Sequence, residues 1–208
     1  MTPNDTPAVF EINDASVRFA GGKEIGGLNL RVCEGEKVVI RGQSGSGKTT
    51  MLRLLLGFAQ PKSGEVKFRG ADLTPEAAWR LRQEVAFVNQ APDGDTVTVH
   101  DALTRLCKEQ PDRPQLQAAL ERLELEKGAL KQLTSNLSGG ERQRVALAAA
   151  SLLKRRIFLL DEPTAALDEA NKTRVADLFL DEENDWTVVV VSHDEVWRQP
   201  EHATVIEL

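Results

Sequence analysis

The sequence predicts an α/β fold with a mainly parallel sheet, an N-terminal antiparallel β-subdomain and an inserted helical subdomain. Three observations support this prediction. Short β-rich segments come first, apolar strands then alternate with helices, and strand signals largely vanish between residues 91 and 136. Apolar strands that alternate with helices are typical of a parallel sheet covered on both faces. Ligands of such sheets bind at the carboxyl ends of the strands.

The predicted elements follow one another without an internal repeat. Strands are expected at residues 9–12, 15–19, 28–32, 37–41, 65–68, 85–88, 157–161 and 187–192, with a last strand near Val205. Helices are expected at residues 48–56, 115–125, 140–153 and 169–179. We interpret residues 1–208 as a single domain, in which residues 1–90 and 137–208 form the core with its β-subdomain and residues 91–136 form the helical subdomain.

Composition and charge exclude several classes of protein. The formal net charge of −6 does not favour an extended nucleic-acid footprint, so no nucleic-acid partner is expected. The two cysteines, Cys33 and Cys107, have no CxxC spacing, which suits a reducing cytosol. The amino terminus has no basic region followed by an apolar stretch, and the longest apolar runs are too short for a membrane helix. A cytoplasmic location is therefore predicted.

A glycine-rich loop follows the predicted strand 37–41. Its residues match the pattern GxxxxGK[ST]: Gly42, Gln43, Ser44, Gly45, Ser46, Gly47, Lys48 and Thr49. Glycines let consecutive backbone N–H groups approach phosphates, and the following helix adds its unpaired N–H groups and positive dipole end. Lys48 is expected at the β- and γ-phosphates of ATP, and the Thr49 hydroxyl at Mg²⁺. With Thr50 added to the ATP-binding set, the motif predicts a P-loop NTPase core.

Two carboxylates, Asp161 and Glu162, end the apolar strand 157–161. Taken alone, this pair is equally typical of a solvated strand end. Beside a phosphate loop, Asp161 is placed to hold Mg²⁺ together with Thr49. Glu162, one residue later, is predicted to accept a proton from the water that attacks the γ-phosphate.

The stretch LSGGERQ at residues 137–143 selects a family. It also predicts a capping box, in which Ser138 caps a helix and Glu141 reaches back to it. The stretch resembles the signature sequence of ABC-type ATPases. In that family two cassettes pack head to tail, so the resemblance implies a homodimer in which Ser138, Gly139 and Gly140 complete the ATP site of the partner.

Other positions match the family in the expected order. Gln90 corresponds to the glutamine that reaches Mg²⁺ and the attacking water, and Asp168 to the aspartate that contacts the opposing subunit. His193 corresponds to the histidine that contacts the γ-phosphate and orients the base. Phe19 lies where the family usually has an aromatic residue stacked on adenine, although a core position suits it as well. The resemblance thus implies Glu162, His193, Gln90 and Lys48 as catalytic residues, with Thr49, Gln90 and Asp161 around the metal.

The resemblance implies an ATP-hydrolysing subunit of an ABC transporter. It would dimerise around two Mg-ATP, drive a separate membrane permease that docks near residues 90–106, and lie on the inner face of the membrane through that permease. An ABC ATPase that signals to a cell-envelope complex without moving a solute remains open. The runs at 94–97 and 167–172 are similar to small bacterial cassettes proposed for iron export. No regulatory domain is expected after His193, and neither the solute nor the direction of transport is readable.

Overall fold

The computed structural model describes residues 7–18, 24–43, 45–90, 96–105, 107–199 and 201–208, with the side chain of Lys127 outside that description. Its strands are β1 (Ala8–Arg18), β2 (Glu24–Cys33), β3 (Lys37–Arg41), β4 (Ser63–Phe68), β5 (Ala71–Asp72), β6 (Val85–Val88), β7 (Ile157–Asp161), β8 (Thr187–Val191) and β9 (Thr204–Glu207). Its α-helices are α1 (Lys48–Leu55), α2 (Pro75–Glu84), α3 (Val99–Thr104), α4 (Arg113–Glu121), α5 (Gly139–Leu152) and α6 (Glu169–Leu180). Short 3₁₀ helices lie at Lys127–Lys131, Thr134–Asn136 and Glu195–Trp197.

The strands form two sheets. One is a four-stranded antiparallel sheet in the order β2-β1-β4-β5, and the other has five strands in the order β6-β7-β8-β3-β9. All neighbouring pairs of the second sheet are parallel, so β3, β6, β7 and β8 present their carboxyl ends at the same edge. The predicted combination of a parallel sheet, an N-terminal antiparallel sheet and added helices is confirmed.

Alternating side chains of the parallel sheet belong to two hydrophobic clusters. Val39, Phe158 and Val190 face a cluster built with α3, α4, α5 and α6. Ile40 and Leu159 face a second cluster that contains α1, α2 and the antiparallel sheet. Both faces are therefore covered, and burial of each large apolar side chain contributes about 1.5–3 kcal/mol to folding. This packing holds the strands side by side, so that their carboxyl ends share one edge.

The helical region follows β6. Residues 96–105 and 107–136 contain helices and one isolated antiparallel bridge between Thr98 and Leu133. Because α3 and α4 share a hydrophobic cluster with α5 and β7, this region packs continuously against the core, and the domain boundaries at 91 and 136 stay a prediction. Within the described residues, no helix is long and apolar enough to cross a bilayer.

Several element bounds differ from the expected ones, and two of the differences have a clear local cause. The segments 9–12 and 15–19 were expected as separate strands, but residues 9–12 and 15–18 belong to the single strand β1, whose register is irregular near Asp14 (φ 47°). Helix α2 was not predicted, although its start carries recognisable signals: the Thr74 side chain accepts a hydrogen bond from Ala77 N at 3.2 Å, and Pro75 occupies the first helical turn.

Candidate active site

The phosphate loop joins β3 directly to α1. Gly42, Gly45 and Gly47 have φ values of 148°, 84° and 111°, a region that residues with a Cβ rarely adopt. Gly47 is the N-cap of α1 and provides no side-chain cap, and the first turn of the helix holds no acidic residue. The first N–H groups of α1 are consequently left for an anion.

The loop forms a cradle around its own polar groups. Lys48 Nζ donates to the backbone oxygens of Gly42 at 2.8 Å and Gln43 at 3.1 Å. A Cβ at Gly42 would lie 2.7 Å from Ser46 Oγ, so a side chain there would fill the loop. Ser46 Oγ is buried and has no hydrogen-bond partner among the described residues. Such an orphaned hydroxyl fits a phosphate oxygen as its missing partner. Ser44 lies outside the described residues.

Thr49 and Asp161 form the second part of the site. The Thr49 hydroxyl donates to Asp161 Oδ1 at 3.3 Å, which joins the start of α1 to the end of β7. Asp161 is 8% exposed, and this burial raises the pKa of its carboxyl above the ordinary value, while the Thr49 hydrogen bond opposes the shift. A buried carboxylate beside a hydroxyl is an all-oxygen set of donors that suits Mg²⁺, and a cation there would offset the desolvation of Asp161.

Glu162 and His193 form the third part. Glu162 Oε2 lies 3.0 Å from His193 Nδ1, and the Glu162 side chain is 13% exposed. Glu162 has a φ of 46°, which is uncommon for a residue with a long side chain, and its N–H donates to Val191 O at 2.8 Å. The left-handed turn after β7 thus aims the carboxylate at the loop after β8, where His193 lies.

A cavity of about 660 Å³ is lined by residues from all three parts, whereas Asp161 lies outside this lining and is joined to it through Thr49. Its lining residues are Ile25, Gly42, Gly45, Gly47, Lys48, Thr49, Thr50, Gln90, Glu162 and His193. The structure therefore brings together three of the predicted parts: the phosphate loop, Gln90 and the Glu162–His193 pair. The cavity volume falls in the range of about 300–1,000 Å³ that is usual for small-molecule sites. Ile25 was not expected at the site; it approaches the loop from β2, and a Cβ at Gly47 would lie 3.0 Å from its Cγ2.

The residues predicted to act across a dimer interface lie elsewhere. Among the described residues, the cavity lining does not include Ser138, Gly139, Gly140 or Asp168. Ser138 Oγ accepts from Glu141 N at 3.3 Å, and Glu141 Oε2 accepts from Ser138 N at 2.8 Å, which confirms the predicted capping box at α5. A Cβ at Gly140 would lie 2.8 Å from Ala166 O, so the start of α5 contacts the loop before α6.

Asp168 has a local role in this chain. It caps α6, since its Oδ1 accepts from Asn171 N at 2.9 Å, and Asn171 Nδ2 donates to both carboxylate oxygens. These hydrogen bonds hold the pKa of Asp168 below its ordinary value. The carboxylate is thus ionised and oriented at the helix start, which is exposed.

A polar network behind His193 was missed by sequence reasoning. Asp194 accepts hydrogen bonds from Thr164 Oγ1 at 2.6 Å and Lys172 Nζ at 2.9 Å, and Trp197 Nε1 donates to Thr164 Oγ1 at 3.0 Å. Burial by itself would raise the pKa of the Asp194 carboxyl, but the two hydrogen bonds outweigh burial and lower this pKa below its ordinary value. The only available signal was a polar residue directly after a candidate histidine, which does not identify partners elsewhere in the chain.

Comparison with known proteins identifies the family. The family model described as "ABC transporter" matches residues 25–165, which include the phosphate loop, the LSGGERQ stretch and the acidic strand end. The chain belongs to the ABC transporter ATP-binding cassette family. The cassette is thus an ABC-type ATPase domain, as the resemblance implied.

Individual relatives agree with this assignment. The cassette is 37% identical over 194 residues to the spermidine/putrescine import ATP-binding protein PotA of Spiroplasma citri, covering 90% of this chain and 55% of that protein. It is 36% identical over 203 residues to the lipoprotein-releasing system ATP-binding protein LolD of Oleidesulfovibrio alaskensis, covering 89% and 87% respectively. The cassette thus spans about half the length of PotA but most of LolD.

Solved structures show the same fold. A dimeric structure of a post-hydrolysis state of an ATP-binding cassette, bound to ADP and Pi, aligns with a TM-score of 0.80 and 29% identity, and the alignment covers 96% of this chain and 94% of that one. Phe19, the candidate adenine-stacking residue, lies outside the described residues. The individual roles of the site residues stay predictions, and so does the resemblance to iron exporters, part of which falls on residues outside the description.

Proposed function

We propose that the cassette binds Mg-ATP in the cavity at the carboxyl edge of the parallel sheet, hydrolyses it as a head-to-tail dimer, and drives a separate membrane permease. The observation that carries this proposal is the Glu162–His193 pair, 3.0 Å apart, at the cavity that the phosphate loop lines. A carboxylate held by an imidazole beside a phosphate cradle suits activation of a water molecule.

Each part of the cavity has a role in the proposal. Lys48, now bound to the oxygens of Gly42 and Gln43, exchanges one of these partners for a phosphate oxygen. Thr49, Asp161 and Gln90 would hold Mg²⁺, and the ion would supply positive charge beside the β- and γ-phosphates. Glu162 accepts the proton of the attacking water at its carboxylate, and His193 orients that carboxylate from its Nδ1 side.

The dimer follows from the position of the signature residues. Ser138 and Gly139 are exposed at the start of α5, and a Cβ at Gly139 would meet no atom within 4 Å. A helix start with free space around it suits an anion that is carried by another molecule. Because these residues lie away from the cavity of their own chain, we infer that they close the cavity of a second copy, and the existence of a dimeric relative supports this inference.

The permease is proposed from the family and from one groove. A groove of about 230 Å³ lies between β6 and α5, and its lining includes Phe87, Val97, Ala102, Val145 and Ala146. Phe87 is 40% exposed there, so the groove presents an aromatic ring beside aliphatic side chains. We assign this groove to a helix of the membrane subunit, which would hold the cassette at the membrane as a peripheral subunit. PotA is named for import and LolD for lipoprotein release, which favours a transporter subunit over the signalling alternative.

Nucleotide binding and hydrolysis test the proposal together. The purified cassette should release phosphate from ATP only when Mg²⁺ is present. Lys48→Ala should weaken ATP binding at least tenfold, because a charge-assisted contact to phosphate is lost. Lys131→Ala is the matched control, since this lysine is exposed on a 3₁₀ helix away from the cavity. Normal Mg-ATP binding by Lys48→Ala, or equal losses in both variants, would contradict the proposed site.

A further inference from the structure

Arg41 joins the phosphate loop to the loop that carries His193. It is the last residue of β3 and directly precedes Gly42. Its Nη2 donates to the backbone oxygen of His193 at 3.2 Å and to Glu195 Oε1 at 2.5 Å, and its side chain is 12% exposed. One guanidinium group thus reaches both ends of a short segment that begins at His193.

The same segment is held from its other side. Asp194 is fixed by Thr164 and Lys172, as described above, and its N–H donates to Ser192 Oγ at 3.1 Å. The peptide group between His193 and Asp194 is therefore held at two points. Arg41 binds its carbonyl oxygen, and the side chain of Asp194 is bound by Thr164 and Lys172. With the backbone held twice, the exposed imidazole (66% side-chain exposure) has few ways to leave Glu162 except by side-chain rotation.

Stability alone does not explain an arginine at this position. Its acidic partners Glu195 and Glu207 are 71% and 65% exposed, and ion pairs with exposed carboxylates add little to folding. Arg41 Nη1 is buried without a hydrogen-bond partner among the described residues, which is a cost. An apolar side chain of similar length would avoid that cost. The contact that distinguishes arginine here is the one to the His193 carbonyl.

We propose that Arg41 is a positioning residue for His193, which it holds at the distance from Glu162 that ATP hydrolysis requires. The inference rests on the proposed function, because it assumes that His193 orients Glu162. Arg41 touches neither the nucleotide nor the attacking water in this account. It acts through the backbone of His193, and its place next to Gly42 ties that backbone to the start of the phosphate loop.

The first test replaces Arg41 and compares turnover with binding. Arg41→Met should lower kcat about tenfold, since small displacements of a catalytic group cost one to two orders of magnitude. The Kd of a fluorescent ATP analogue should change less than about twofold, because no phosphate contact is lost. Arg41→Lys keeps the positive charge but lacks the planar guanidinium group, so its kcat should lie between those of the wild type and Arg41→Met. Arg198→Gln is the matched control, since Arg198 pairs with the same Glu195 at 4.0 Å but makes no described contact with His193.

A double-mutant cycle separates positioning from a general structural role. If Arg41 acts through His193, Arg41→Met should cost no further activity in a His193→Ala background, measured as phosphate release over hours. An equal fold-loss in both backgrounds, or an unchanged kcat in Arg41→Met alone, would overturn the inference. Wild-type hydrolysis with normal Arg41→Met turnover would leave the proposed function intact, whereas failure of the wild type to hydrolyse Mg-ATP would refute the proposed function itself.

Discussion

The carboxylate of Glu162 and the imidazole Nδ1 of His193 lie 3.0 Å apart, although 31 positions separate them along the chain. They meet because β7 and β8 are neighbouring parallel strands, whose carboxyl ends both reach the cavity edge. The left-handed backbone of Glu162 costs on the order of 1 kcal/mol, a strain that proteins retain mainly at functional sites. The pair therefore depends on the packing of the whole sheet.

We expect Asp161→Asn to stabilise the nucleotide-free cassette. The pKa of Asp161 is raised by burial, so the folded state binds its proton more tightly than the unfolded state does. The stabilising contribution is present below the ordinary value of 3.8 and is lost as the pH rises through the raised folded value. At neutral pH the buried, ionised carboxylate destabilises the folded state. Its removal should raise the free energy of unfolding by on the order of 1 kcal/mol, or the Tm by about 2–4 °C.

Thermal melts with and without Mg-ATP check this prediction. The stabilisation by Mg-ATP should be smaller in Asp161→Asn than in the wild type, because the amide no longer supplies a charged ligand to Mg²⁺. Asp177→Asn, an exposed position on α6, should leave both melts unchanged. A lower Tm for nucleotide-free Asp161→Asn, or undiminished stabilisation by Mg-ATP, would show that the carboxylate has no such role.

Ser138 has two proposed roles that two substitutions separate. Ser138→Ala removes the cap of α5 and should lower the free energy of unfolding by about 1 kcal/mol. Ser138→Asp keeps a capping side chain and should leave stability nearly unchanged, but it places a carboxylate against the phosphates of the partner's ATP. The rate of hydrolysis should therefore fall far more in Ser138→Asp than in Ser138→Ala. In chemical unfolding the order is reversed, because Ser138→Ala should be the less stable variant.

Mixing the Ser138→Asp and Lys48→Ala chains tests completion across the dimer. A mixed dimer carries both lesions at one site and neither at the other, so an equal mixture should regain about a quarter of the wild-type rate when dimers form randomly and sites act independently. Each variant alone should stay inactive. A mixture no more active than its components would count against completion of the site by a second copy.

Thr164 should be a stability-determining residue behind the site. It is fully buried, donates to Asp194 and accepts from Trp197 Nε1. Thr164→Val removes a hydrogen bond from both Asp194 and Trp197 and should lower the free energy of unfolding by about 1–3 kcal/mol. Thr164→Ser keeps the hydroxyl and should retain most of the wild-type stability. Urea denaturation at neutral pH measures both variants, and equal stability of Thr164→Val and the wild type would contradict the network.

The pH dependence of the Thr164 effect has a defined sign. The pKa of Asp194 is lowered in the folded state, so its ionised hydrogen bonds stabilise the fold above the ordinary value of 3.8. That contribution is lost as the pH falls through the folded value. The difference in the free energy of unfolding between the wild type and Thr164→Val should consequently become smaller in acid. The part that comes from the lost hydrogen bond of Trp197 Nε1 should remain.

Sequence patterns predicted the parts of the molecule whose physics is local. The strands that end at Arg41 and Asp161 were predicted with their observed bounds, and the Ser138 capping box was predicted from four adjacent residues. Local rules apply there because apolar runs, glycine turns and helix caps depend on near neighbours. The same reasoning placed the LSGGERQ stretch at a helix start, whereas its role at the ATP site of a partner was implied only by the family resemblance.

The parts that were not predicted depend on distant neighbours. Nothing in the residues around Arg41 indicates that its guanidinium reaches the His193 carbonyl, 152 positions away. The Thr164–Asp194 hydrogen bond likewise spans 30 positions and requires the crossing from β7 to β8. Strand β1 was divided in two because Asn13 and Asp14 look like a turn, whereas pairing with β2 and β4 continues on both sides of them.

Hydrolysis by Glu162→Gln tests the central claim most directly. The amide keeps the shape of the side chain but cannot accept the water proton, so turnover should fall by about 10²–10⁴-fold while ATP still binds and an ATP-bound dimer accumulates in gel filtration. Glu182→Gln is the matched control, because Glu182 makes the same 3.0 Å contact with a histidine, His202, at the opposite edge of the sheet. A monomeric Glu162→Gln with normal ATP binding, or turnover equal to that of Glu182→Gln, would contradict the account.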